Sequence, residues 1–114
     1  MERRLHKRVK LFVTARYGRE GDTKSFFGSV VDVSYSGVFL MTSTTFTPGE
    51  RIWIECTING QSLKLSGTVA RTKIVSHPQL VTYSKGGVGI KVDNMHPYIM
   101  NFIDERLKEE ARFI

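Results

Sequence analysis

The chain has 114 residues, 40% of them hydrophobic and 25% charged, with a formal net charge of +6. It is long enough for one domain with its own core and too short for two. It has no apolar run of bilayer length and no cleavable leader, which predicts a cytoplasmic protein without membrane insertion. A single cysteine and three scattered histidines exclude an internal disulfide and a zinc site of the usual spacing.

Alternating apolar and polar residues predict six short strands, because side chains of a strand point alternately to its two faces. The predicted strands cover residues 9–17, 25–33, 37–42, 52–58, 63–75 and 86–92. Asn59-Gly60 is typical of a two-residue hairpin turn, since both residues tolerate positive φ. Residues 76–85, which contain Pro78, are predicted to form a loop.

The period changes after the sixth strand. Pro97 suits the first turn of a helix, and apolar residues then recur every four positions at Ile99, Ile103, Leu107 and Ala111. The sequence therefore predicts one mainly-β domain over residues 1–114, a six-stranded antiparallel split β-barrel with a C-terminal α-helix. Its parts are a flexible segment at 1–8, the barrel at 9–93 and the helix at 96–113.

Two short motifs carry the chemistry. Arg4-Leu-His-Lys-Arg8 places two guanidinium groups four residues apart in a basic N-terminus that favours an anionic partner. Asp32-Val-Ser34-Tyr-Ser-Gly37 places a carboxylate, a hydroxyl and a glycine within six residues. Taken separately, the first is an ordinary solvated basic tail and the second an ordinary Asx or Ser turn between strands.

Together, in this order and within this strand pattern, the motifs resemble the two-part ligand signature of PilZ domains. The late glycine-containing strand (residues 87–92) and the C-terminal helix (residues 98–113) extend the resemblance over nearly the whole chain. It implies a receptor for cyclic di-GMP in bacterial second-messenger signalling, without catalysis. It also implies an unidentified downstream protein partner, in motility, surface polysaccharide and biofilm formation or secretion.

Cyclic di-GMP explains why the motifs need these residue types. A guanidinium fork matches the O6 and N7 acceptors of guanine or two phosphate oxygens, which a lysine cannot do bidentately. Arg4 and Arg8 are therefore the main candidates, and Asp32 is suited to accept from guanine N1 and N2. Ser34 would bind phosphate, base or loop, and Gly37 would allow a tight turn and room for a flat ligand.

Arg3 is a further candidate, because an extra arginine at this place in the family goes with a stacked dimer of the dinucleotide. A solvated surface charge explains it equally well. The number of bound dinucleotides and the presence of a homodimer stay open. Arg71 is expected to be a solvent-facing strand residue, with guanine stacking as the alternative. Trp53 is expected in the core under the helix, with a partner surface as the alternative.

Two other functions remain as alternatives. The first is a PilZ-like protein-interaction module that binds no nucleotide, although both motifs are intact here. The second is a basic β-barrel that binds nucleic acid, which normally shows exposed aromatic side chains among lysines and arginines. Only Phe12 and Tyr17 lie near the basic segment. Neither catalytic nor metal-binding residues are predicted, and no cofactor is expected.

Overall fold

The computed structural model describes residues 7–75 and 85–112. Arg3, Arg4 and most of the predicted loop at 76–85 lie outside the described residues. The described elements are β1 (Val9–Arg19), β2 (Phe26–Val33), β3 (Gly37–Thr42), β4 (Arg51–Ile58), β5 (Gln61–Val75), β6 (Lys85–Val92) and α1 (Pro97–Ala111). All neighbouring strands are antiparallel, and they close in the order β1-β2-β3-β6-β5-β4. The predicted six-stranded antiparallel barrel with a C-terminal helix is confirmed.

The barrel interior is filled by the apolar residues of the alternating pattern. On β1, Val9, Leu11, Ala15 and Tyr17 are buried, while Lys10 and Arg16 face outward. The buried Tyr17 hydroxyl is hydrogen-bonded to the hydroxyl groups of Thr42 and Thr44. The core is therefore apolar, and the buried tyrosine hydroxyl has the hydrogen-bond partners that a buried polar group needs.

The turn and helix signals of the sequence are both present. Asn59 and Gly60 have φ of 50° and 83° between β4 and β5, as the hairpin prediction requires. Pro97 begins α1, and the Nδ1 atom of His96 accepts from the Tyr98 backbone N–H at 3.0 Å. That bond satisfies one of the free N–H groups of the first turn.

The helix is attached to the barrel by a short apolar contact and two polar ones. Ile99 and Ile103 are buried, whereas Ala111, predicted as part of the same stripe, is exposed. Arg106 donates to the Lys10 carbonyl at 3.1 Å, and the Tyr35 hydroxyl donates to the Asp104 carboxylate. This carboxylate raises the pKa of Tyr35, because it accepts the hydrogen bond from the protonated phenol. The helix is thus tied to β1 and to the turn between β2 and β3.

The expectation that Trp53 lies in the core under the helix is wrong. Trp53 is half-buried on the outside of the barrel, where the Arg16 guanidinium and the Lys64 ammonium lie 5.2 Å and 5.7 Å from its ring centroid. Its neighbours Ile52 and Ile54 fill the core instead. Trp53 faces outward because side chains alternate along β4, so three successive residues cannot all face inward.

Within the described ranges, no helix has the length and apolar character needed to span a membrane. The same ranges contain no cluster of His, Cys, Asp or Glu side chains suited to hold a metal ion.

We expect the barrel to lose stability in acid through two ion pairs. Arg51 lowers the pKa of Asp93 and Arg19 lowers the pKa of Glu50, in each case mainly by hydrogen-bonding the ionised carboxylate. A carboxyl group with a lowered folded-state pKa stabilises the fold above its unfolded pKa, and this contribution is lost as the pH falls through the folded value. The unfolding free energy should therefore decline below pH values near the ordinary ones, 4.5 for Glu50 and 3.8 for Asp93.

The measurement is urea denaturation at about pH 7 and about pH 3. The Glu50→Gln/Asp93→Asn double variant should be less stable than the parent at the higher pH and should lose less stability on acidification. An equal loss in both proteins would show that other groups control acid unfolding.

Candidate ligand-binding site

One row of residues crosses five strands on the outside of the barrel. Its members, each paired with the next, are Lys10, Asp32, Phe39, Gly89 and Arg71. The adjoining row points into the core, since Val9, Val33, Val38, Ile90 and Val69 are all buried. The sheet therefore places a carboxylate from β2 and a guanidinium from β5, which are far apart in sequence, on the same outer face with β3 and β6 between them.

Two β-bulges place these charged side chains on the outer face. On β2, Val30 and Asp32 pair with the consecutive residues Leu40 and Phe39, so Val31 is an extra residue. Simple alternation would point Asp32 inward with Val30, and the extra residue turns it outward.

The second bulge lies on β5. Val69 and Arg71 pair with the consecutive residues Ile90 and Gly89, so Ala70 is extra. Val69 is buried and Arg71 is exposed, although they are two residues apart. The bulge thus re-aims a cation that alternation would place in the core.

Arg8 and Asp32 form the central ion pair of this surface. The Arg8 Nε atom donates to Asp32 Oδ1 at 2.6 Å, and the side chains are 24% and 21% exposed. This bond uses one edge of the guanidinium. Among the described residues, nothing occupies the terminal nitrogens of Arg8 or the second oxygen of Asp32. The pair is held in place and still has donors and an acceptor for a ligand.

The Ser34–Gly37 turn has a structural role in this site. The Ser34 backbone N–H donates to the Gly37 carbonyl at 2.8 Å, and the Ser36 N–H donates to Ser34 Oγ at 3.3 Å. Ser34 is only 1% exposed, so its hydroxyl serves the turn. Ser36 is the exposed hydroxyl of the motif.

Gly37 is required for a close approach between strands. A Cβ atom there would lie 2.3 Å from the Ile90 carbonyl oxygen. Gly37 is not among the residues with positive φ, so the expected tight turn is not the reason for a glycine. The small residue allows β3 to lie against β6 beside the cleft.

A cleft of about 180 Å³ opens beside the ion pair. Three cationic side chains, Arg8, Arg71 and Lys91, line it, and Ser36 adds a hydroxyl. Arg71 lies across Gly89, where a Cβ atom would be 3.2 Å from its Cγ and Nε atoms. No carboxylate is among the lining residues described, so the cleft suits an anion.

The structure brings together some of the residues predicted from the sequence. Arg8 and Asp32 are in contact, and Ser34 and Gly37 form the adjoining turn. Arg3 and Arg4 lie outside the described residues. Lys91 and Ser36 were not predicted as site residues. The glycines around Val88 in β6 are a sequence signal that could have pointed to this strand, because glycine in a strand often marks a place where a ligand or another group approaches the backbone closely.

The barrel and its cationic cleft define a small β module with a candidate site for an anionic ligand. The sequence matches the family model of the PilZ domain over residues 2–107. The chain therefore belongs to the PilZ domain family. No curated protein sequence matches it significantly.

Solved structures show the same fold. The PilZ domain with c-di-GMP of YcgR from Escherichia coli is 13% identical, with a TM-score of 0.71, and the match covers 99% of this chain and 100% of that one. The Bacillus subtilis inhibitor of motility MotI/DgrA is 12% identical, with a TM-score of 0.69 and coverage of 98% and 53%. The K. pneumonia MrkH-c-di-GMP complex is 16% identical, with a TM-score of 0.69 and coverage of 97% and 53%. The chain thus spans about half the length of MotI and MrkH.

Proposed function

We propose that the chain is a cyclic di-GMP receptor that changes its interaction with a downstream protein when the ligand binds. The observation that carries this proposal is the cleft in which Arg8, held by Asp32, lies with Arg71 and Lys91. Family membership supports it, and so do the c-di-GMP complexes of two structural neighbours.

We assign different tasks to the charged groups of the cleft. Arg8 is oriented through Nε, so its terminal nitrogens can donate to guanine O6 and N7 or to phosphate oxygens. The free oxygen of Asp32 accepts from a guanine N–H donor. Arg71 lies flat over Gly89, where its guanidinium presents a face for a purine to stack on.

The N-terminal arginines complete the proposal. A cleft of about 180 Å³ is smaller than a typical ligand pocket of about 300 Å³ or more, so it holds only part of a dinucleotide. We assign Arg4 to the remaining phosphate or guanine contacts. Arg3 either contacts a second dinucleotide or remains a solvated charge.

The proposed setting is the bacterial cytoplasm, in control of motility, polysaccharide or biofilm formation. One structural neighbour is described as an inhibitor of motility and another as a transcription regulatory factor. These descriptions belong to longer proteins, and they show that one fold serves different outputs.

Calorimetric titration with cyclic di-GMP at about 50 and about 200 mM salt tests the receptor function, with GMP and cyclic di-AMP as controls. We expect saturable, guanine-selective binding that weakens only modestly with salt, because base-edge hydrogen bonds are less salt-sensitive than phosphate contacts. The stoichiometry decides whether one or two dinucleotides bind. Absence of binding at high protein concentration would favour a PilZ module that binds no nucleotide.

Arg71→Ala should weaken cyclic di-GMP binding about tenfold, because the attraction between a guanidinium and the face of an aromatic ring contributes about 0.5–2 kcal/mol. The matched control is Arg51→Ala, since Arg51 is also an exposed strand arginine but is paired with Asp93 and Glu20 away from the cleft. Equal affinities of the Arg71 variant and the parent would remove Arg71 from the site.

A further inference from the structure

Two exposed aromatic side chains share a groove on the outer face of β1, β2 and β3. Phe12 and Phe27 are each 74% exposed, the largest exposures among the large hydrophobic residues described. They line one groove of about 590 Å³ together with Lys10, Ser29, Val31 and Met41. Single exposed apolar residues are ordinary, but a contiguous apolar groove marks an interaction site.

The residue types in this groove are those of a protein-binding surface. Phenylalanine and methionine are enriched in the centres of protein interfaces, and charged residues are depleted there. Val31 is the extra residue of the β2 bulge, so the irregularity that turns Asp32 outward also supplies an apolar residue to the groove. Ser29 and Ser43 of the lining add polar groups at its border.

Charge defines the occupant. Lys10 is the only charged side chain among the described residues of the lining, and it has no ion-pair partner within the described ranges. Arg16, its cationic neighbour along the face, is engaged with Glu55 at 2.7 Å. A partner segment with large apolar side chains and at least one carboxylate therefore complements the groove.

The groove adjoins the candidate ligand site. Lys10 is opposite Asp32 in the sheet register, and Asp32 is paired with Arg8. A ligand bound at Arg8 and Asp32 would therefore lie at the edge of the groove that carries Lys10. We propose that the Phe12–Phe27 groove is the docking surface for an acidic, apolar segment of the downstream protein. This inference rests on the proposed function in so far as that function requires such a partner.

Single-stranded nucleic acid is the less suitable occupant. Nucleic-acid grooves carry several cations that follow the phosphate backbone, with aromatic side chains between them. The described lining offers two aromatic rings but only one cation. The apolar lining of the groove and its single cation both favour a protein segment as the occupant.

The test uses a random peptide library of roughly twelve residues displayed on phage, selected on the parent chain and depleted on a Phe12→Ser/Phe27→Ser variant. The strongest peptides are synthesised, and their affinities are measured by fluorescence anisotropy. We expect sequences that combine aromatic or aliphatic residues with Asp or Glu. Each single phenylalanine variant should weaken binding at least about tenfold, and Lys10→Gln should weaken it less.

Met100→Ser is the matched control, because Met100 is an exposed hydrophobic residue, 40% accessible, on α1. It should leave peptide affinity unchanged. Titration of the parent chain with cyclic di-GMP, alongside its titration with the selected peptide, separates the two proposals. Peptide binding without nucleotide binding would overturn the receptor function and keep the docking surface. Nucleotide binding without peptide binding would keep the receptor function and overturn the docking surface.

Three results would overturn the docking proposal. The first is the absence of any peptide whose affinity depends on Phe12 and Phe27. The second is phenylalanine-dependent binding of an oligothymidylate, which would make the face a nucleic-acid surface. The third is a dimer in sedimentation that the phenylalanine variants abolish, which would assign the groove to a second copy of the chain.

Discussion

Replacement of Arg8 by alanine should reduce the affinity for cyclic di-GMP about 100-fold or more. The variant loses a bidentate contact that contributes about 1–3 kcal/mol and also leaves the Asp32 carboxylate unpaired beside an anionic ligand. Arg8→Lys should be only a partial rescue, because an ammonium group cannot reproduce the fork. Calorimetric titration measures both affinities.

Arg16→Ala is the control for this prediction. Arg16 also belongs to the basic outer face and forms an ion pair of similar length, with Glu55, but it lies outside the cleft. Its variant should bind as the parent does. Thermal denaturation should show that all three variants remain folded, since the loss of one partly exposed ion pair is small beside the free energy of folding of a domain. Parental affinity in Arg8→Ala would contradict the assigned site.

Replacement of Gly37 by alanine should lower the stability of the barrel substantially. Glycine to alanine in a strand ordinarily stabilises a protein slightly, by restricting the unfolded chain. Here the new Cβ atom would lie 2.3 Å from the Ile90 carbonyl oxygen, so β3 and β6 must separate. We expect Gly37→Ala to destabilise the barrel by about 2–3 kcal/mol, or to lower its melting temperature by about 10 °C or more.

Ser62→Ala is the matched control, since Ser62 is an exposed residue of β5. Its unfolding free energy should stay within about 0.5 kcal/mol of the parent value. Chemical denaturation of both variants makes the comparison. A neutral or stabilising effect of Gly37→Ala would show that the strands can move apart at little cost, and that the glycine of the motif is retained for the ligand.

The regular parts of the fold were predictable because local signals agree with tertiary packing. Alternation located the strands, Asn59-Gly60 located a hairpin, and Pro97 located the start of the helix. The Arg8 and Asp32 candidates came from the resemblance of two motifs, and the structure places these residues in contact.

Alternation along single strands does not explain the orientation of the site residues, although Arg71 was expected to face solvent and is exposed. Asp32 and Arg71 face outward only because Val31 and Ala70 are extra residues in their strands. A bulge depends on the pairing of two strands, and alternation along one strand does not reveal it. The sequence assigned no role to Lys91, because alternation along β6 shows that it faces outward but not that β6 lies between β3 and β5 at the cleft.

Side-chain NMR can show whether cyclic di-GMP binds between Arg8 and Arg71. The arginine Nε–H resonances are followed during titration of the parent chain with the dinucleotide. We predict saturable shifts for Arg8 and Arg71 and much smaller ones for Arg16 and Arg51, which are engaged in ion pairs outside the cleft. Saturable shifts confined to Arg16 and Arg51, or no saturable shift at all, would rule out binding of the dinucleotide at this cleft.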